Sequence, residues 1–293
     1  MWVKMYKKDF FSKSTVIILV LLVLISVISF SFSLAEKNEF RALLGDTSPD
    51  LNQEALIHFL DGYTGIRFLF NYWFNSAGLF AIGLITLYAW SGAFLSPRLQ
   101  NEKDNGFGNL TMTRIPFKKR LNQMLLSQSF YIMSIVLISN LISLLLALMF
   151  GGMPTRGVLT EMSAGYELTR FQVFLVIFIQ NIWISLLVIF VNGITLLSNV
   201  WIKNKYLIQA LPIFLFVFLP YLLGTVLGNL IPATSRLISP FFPEFLVTAI
   251  NDTFNAHFDM LLTLRSFAPL FVFAFLFFIL YYLNISAHSR NYL

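Results

Sequence analysis

Six stretches of this chain, 14–34, 72–95, 124–150, 171–198, 207–230 and 266–283, contain no Asp, Glu, Lys, Arg or His. Each holds about the 20 apolar helical residues that a bilayer core of about 30 Å requires. Composition agrees: 57% of residues are hydrophobic and 12% charged, whereas a soluble domain needs about a quarter of its residues charged to cover its surface. The 33 Phe are well solvated by acyl chains and would be an aggregation hazard in water. The expected fold class is therefore all-α, a polytopic membrane bundle of about six transmembrane helices forming a single transmembrane domain over 1–293. A charge at mid-bilayer costs about 3 kcal/mol on insertion scales and is normally kept for function, so charge-free spans offer no buried proton relay.

Several function classes drop out. The absence of Cys excludes disulfides, thiolate-ligated metal and thiol nucleophiles. His58, His257 and His288 are far apart and form no ligand spacing, so no metal or other cofactor is expected in this chain. No Gly-Lys dipeptide occurs, so the phosphate-cradling G-x-x-x-x-G-K-[ST] loop is missing. An intramembrane enzyme would need a nucleophile and base within hydrogen-bond reach, and the spans offer only hydroxyls and amides. The chain reads as a non-enzyme. The first apolar run imitates a secretory signal, with Ser33, Leu34 and Ala35 near a cleavage-like position, but exceeds the usual core of about 7 to 15 residues. It is expected to remain as the first span.

Orientation follows from the connections. With the amino terminus in the cytoplasm, the inner side carries thirteen basic and three acidic residues, +10, against seven basic and eleven acidic outside, −4. The positive-inside rule therefore favours a multi-pass protein of the cytoplasmic membrane with its amino terminus inside. The net charge of +6 could suggest nucleic acid, but the basic residues are scattered through short inner connections. Insertion and attraction to anionic membrane lipid account for them, and no nucleic-acid partner is expected.

Four connections and some span residues carry further signals. In residues 1–13, Trp2, Tyr6 and Phe10 recur every fourth position while Lys4, Lys7 and Lys8 fall elsewhere on the wheel, the pattern of an interfacial helix. The outer connection 36–70 has a helix-start signal at Ser48, Pro49 and Asp50 and is expected to form a short surface helix. The segment 231–265 alternates apolar Phe242, Phe245, Leu246, Ala249 and Ile250 with polar Glu244, Thr248, Asn251 and Asp252 at helical spacing. It is too polar to span and is expected as an amphipathic helix or re-entrant pair on the outer leaflet. Within the spans, Asn140, Asn181 and Asn192 should face other helices, because hydrocarbon leaves their amides unsatisfied. Pro212 and Pro220 should kink span five, and Trp183 reads as packing.

The most informative connection, within 96–123, reads RLQNEKDNGFGNLTMTRIPFKKRLNQ over residues 98–123. Gly106 and Gly108 permit a sharp reversal, Asn109 to Thr113 could form one helical turn, and Pro116 marks the next helix start. A compact cytoplasmic elbow results. The order Glu102, Gly106, Thr113, Arg114, Pro116, Lys118, Lys119, Arg120, between spans two and three, resembles the coupling loop of bacterial permease subunits of type 2 ABC exporters. That resemblance covers the whole chain as topology and about twenty residues as motif. It implies an ATP-binding cassette subunit docked on those eight residues, with ATP and Mg bound by that partner, and a homodimer or a paralogous permease as the second half. It also implies short outer helices between spans five and six that cap the exit. The function expected is a permease subunit of an ATP-driven exporter of an amphipathic peptide or lipid-like cargo. A secondary carrier or channel, and a non-transporting sensor or immunity subunit, are the alternatives.

Overall fold

The computed structural model describes residues 2–43, 57, 60, 77–104, 116–151, 158–159, 167–168, 170–230, 237–255 and 260–290. Ten helices carry the architecture of these residues: α1 (Trp2–Phe10), α2 (Lys13–Leu43), α3 (Ala77–Phe94), α4 (Arg98–Asp104), α5 (Phe117–Gly151), α6 (Arg170–Leu197), α7 (Lys205–Ile213), α8 (Leu219–Leu230), α9 (Pro243–Asn255) and α10 (Met260–Arg290). Two two-residue strands, Val158–Leu159 and Glu167–Leu168, pair antiparallel in the α5–α6 connection. Among the described residues, five helices are long and apolar enough to cross a membrane: Lys13–Ala42, Phe117–Met149, Phe174–Leu197, Lys205–Leu227 and Thr263–Ala287. That is the constitution of a multi-pass membrane protein. The 18 residues of α3 also carry no charge and correspond to the second apolar run.

Several helices overrun the apolar stretches. Helix α2 continues through Glu36, Lys37 and Glu39 to Leu43, so the connection after it starts later than residue 36. The surface helix expected from Ser48 lies outside the described residues, as do 72–76 of the second run. Helix α5 starts at Phe117, seven residues before its apolar stretch, and α10 reaches from Met260 to Arg290. Polar residues end the hydrocarbon match without ending the helix, because backbone bonds continue wherever side chains can reach water or headgroups.

Helix α6 runs through the centre. Val176, Trp183, Leu187, Val188 and Val191 are buried among Leu84, Tyr88, Ile132, Ile135, Leu246 and Phe273 from surrounding helices. Outer faces are the reverse: Val16, Val20, Leu24, Phe271, Phe275 and Phe278 are exposed, as surfaces solvated by lipid should be. The apolar stretch Lys205–Leu227, read from the sequence as span five, is irregular between its prolines. Pro212 lies inside α7, Phe214–Phe218 forms a π-helical segment, and Pro220 opens α8. A proline deletes one backbone donor and crowds the preceding turn, and the wider π turn absorbs that mismatch. Helix α3 approaches this irregular span closely at Gly92. A Cβ there would collide with the Gln209 carbonyl and the Pro212 ring, and Gln209 Nε2 donates to the Ala93 carbonyl at 3.1 Å.

Helix α9 is not a passive surface helix. Leu246, Val247, Ala249 and Ile250 are buried, packed against α3, α6 and α10. Two side chains of α6 fix it: Trp183 Nε1 donates to the Leu246 carbonyl at 2.7 Å, and Gln180 Nε2 to the Val247 carbonyl at 2.6 Å. Both donors sit in the interior of α6, ten and thirteen residues from its first residue. Phe242 stacks on Tyr221 at 4.7 Å, which sets the segment before α9 against α8. Of the expected amphipathic segment, Pro243–Asn255 is helical, while residues 260–265 belong to α10.

Candidate functional site at the elbow

The short polar helix α4 turns the chain between α3 and α5, and three ion pairs hold it. Arg98 Nη1 reaches Asp9 Oδ2 of α1 at 2.5 Å, Arg98 Nε lies 3.9 Å from Glu102 Oε1, and Arg120 Nη2 of α5 donates to Glu102 Oε2. The Arg120 side chain is only 5% exposed, so removing its partner would strand a charge away from solvent. Glu102 and Arg120, eighteen residues apart, are therefore brought together and satisfy one another. Beneath them Leu99, Leu121, Met124, Leu196 and Leu197 form a compact apolar cluster joining α4, α5 and α6.

A buried layer of amides and hydroxyls lies directly below. Ser96 Oγ shares a 2.6 Å hydrogen bond with Thr195 Oγ1 and donates to Asn192 Oδ1 at 3.4 Å. Asn192 Nδ2 donates to Gln128 Oε1 at 2.9 Å, while Gln128 Nε2 donates to the Leu95 carbonyl at 3.1 Å. Asn199 Nδ2 donates to the Ser96 carbonyl at 3.3 Å, and Asn284 Nδ2 to the Leu197 carbonyl at 2.9 Å. The turn that follows α3 is thereby tied to α5 and α6, and α6 to α10. Low-dielectric surroundings make such directional contacts stiff.

Helix α1 completes the corner. Tyr6 stacks on Phe10 with centroids 5.6 Å apart and shares a 3.0 Å hydrogen bond with Ser134 of α5, while Lys4, Lys7 and Lys8 remain exposed. Thr15 Oγ1 donates to the Asp9 carbonyl at 2.9 Å and shares a 2.6 Å bond with Tyr131, fixing the bend between α1 and α2.

The other sequence-predicted residues divide. Pro116 is exposed, and its carbonyl accepts from Arg120 N at 3.1 Å, starting α5. Lys118 and Lys119 are exposed in the first turn of α5. With no acid in that turn, two lysines add to the positive end of the helix dipole, an arrangement unfavourable by a few tenths of a kcal/mol or more. They border a surface cleft of about 400 Å³ with Pro116, Asn122, Gln123 and Leu126, and Tyr281 donates to Asn122 Oδ1 at 2.6 Å at its edge. Gly106, Thr113 and Arg114, together with the helical turn expected at 109–113, lie outside the described residues.

The polar layer was only partly anticipated. Asn192 lies within it, and Asn140 and Asn181 bond to each other across α5 and α6, as hydrocarbon demands of them. Ser96, Gln128, Thr195, Asn199 and Asn284 were not singled out. For Gln128 the signal was available: it is an amide inside the charge-free run 124–150, and an amide in hydrocarbon needs a partner. Comparison with family models, with curated proteins and with solved structures finds no match to this chain.

Proposed function

We propose that this chain is the membrane-spanning permease subunit of an exporter driven by a separate ATP-binding cassette subunit. In this reading α3 completes a set of six spans, the elbow end faces the cytoplasm of the cell membrane, and helix α9 closes the outer end. The cargo is an amphipathic peptide or lipid-like molecule that crosses beside a second copy or a paralogue. ATP and Mg bind in the partner.

One observation carries the reading. At the elbow, charges that hold the fold are paired internally, while Lys118 and Lys119 project beside an open cleft from a helix end whose own dipole opposes them. Cations kept at an unfavourable position are explained by an external acidic surface. An ATPase subunit that bears down there would act on α4 and α5, whose polar layer passes the displacement to the spans. A carrier driven by an ion gradient finds less support, because the apolar stretches hold no ionisable relay.

The test is co-purification of an ATP-binding cassette subunit with the intact chain from its native membrane. Lys118→Glu with Lys119→Glu should reduce recovery of the ATPase at least tenfold while membrane insertion is unchanged. Recovery equal to the unmodified chain would remove the elbow as the docking surface.

A further inference from the structure

At the opposite end of the bundle a cavity of about 380 Å³ opens between α8, α9 and α10, lined by Tyr221, Thr225, Ser239, Phe242, Phe245 and Arg265. Small-ligand sites span about 300–1,000 Å³. Its walls divide by chemistry. Phe242 and Phe245 supply apolar surface, their centroids 6.2 Å apart, and Phe242 is pressed so closely to α8 that a Cβ on Gly224 would meet its ring. Ser239 and Arg265 supply the polar side, with Arg265 Nη2 donating to Ser239 Oγ at 2.7 Å.

Arg265 is the unusual member. It is the third residue of the apolar helix Thr263–Ala287, it is exposed, and no described carboxylate lies within 4.0 Å of it. Arg98 and Arg120, by contrast, are both ion-paired. The hydroxyl of Ser239 uses one donor of a guanidinium that has five. An arginine at the rim of a membrane span needs an anion or water for the rest, and a planar fork of donors matches a phosphate in two parallel hydrogen bonds.

We propose that the Arg265–Ser239 pocket binds the phosphate of a lipid entering from the surrounding leaflet, with the first part of its chain against Phe242 and Phe245. This goes beyond the exporter reading and does not require it, since binding is an equilibrium property of this chain alone. The pocket also meets the segment 237–255, because Ser239, Phe242 and Phe245 all belong to it. A bound lipid would therefore bridge that segment to α8 and α10.

Native mass spectrometry of the intact protein in detergent tests this with dioleoyl phosphatidic acid, with dioleoylglycerol, which lacks the phosphate, and with inorganic phosphate as competitor. Phosphatidic acid should bind at one site, and dioleoylglycerol at least about tenfold more weakly. Arg265→Gln should lower the affinity for phosphatidic acid about tenfold, and Arg265→Lys only about threefold, since a point charge keeps the attraction without the fork. Arg41→Gln, exposed at the end of α2, should leave binding unchanged. Equal binding of dioleoylglycerol would overturn the proposal. So would equal losses in Arg265→Gln and Arg41→Gln, or displacement of the lipid by inorganic phosphate at matching concentration.

Discussion

The two ends of this bundle are held together by different chemistry. At the elbow, α1, α4 and α5 meet through Asp9, Arg98, Glu102 and Arg120, above a layer of amide and hydroxyl contacts. At the far end, α9 is held by the burial of Leu246, Val247 and Ile250, with Trp183 and Gln180 giving direction. Apolar burial is roughly proportional to area and tolerates sliding, while hydrogen bonds and ion pairs tolerate little change of angle. By this chemistry the elbow is the stiffer junction and the α9 end the softer one. Between them the π-helical segment Phe214–Phe218, set between Pro212 and Pro220, interrupts the regular α-helix of the apolar stretch Lys205–Leu227.

That contrast can be broken by substitution. Arg120→Ala leaves Glu102 with its weaker 3.9 Å contact to Arg98 and should destabilise the protein by about 3 kcal/mol, read as a fall in thermal midpoint in detergent. Adding Glu102→Gln should recover most of the loss, which would identify the stranded charge as its cause. Trp183→Phe removes the donor to Leu246 while keeping an aromatic ring against Phe267. The cost should be about 1 kcal/mol, with faster hydrogen exchange confined to α9. A fall as large as that of Arg120→Ala would show that the far end is no softer than the elbow. Asn192→Leu removes one member of the polar layer and should cost only about 0.6 kcal/mol. Its sharper consequence should be lost coupling, seen as partner-stimulated ATP hydrolysis that no longer tracks transport.

Much of the bundle was legible because desolvation is an unforgiving constraint. A run such as 171–198, with no charge in 28 residues, has few folds open to it besides a buried or membrane-embedded helix. The depth of α9 was less legible, since Glu244, Thr248, Asn251 and Asp252 give it the polarity of a surface helix. What draws it inward lies elsewhere in the chain, in the indole of Trp183 and the amide of Gln180, and sequence position carries no record of which carbonyl a distant donor will find. The same limit applies to Glu102 and Arg120. A motif names them together, but only the turn of α4 against α5 shows that they face each other, leaving Lys118 and Lys119 as the exposed charges.

We propose that work enters this protein from a partner at the elbow. Sealed vesicles containing this chain, with and without an ATP-binding cassette subunit, test that most directly by following movement of a labelled amphipathic cargo. Accumulation against a gradient should require the partner and ATP, and should vanish with Lys118→Glu and Lys119→Glu. Uphill movement by this chain alone, driven by a proton or sodium gradient, would contradict the proposal.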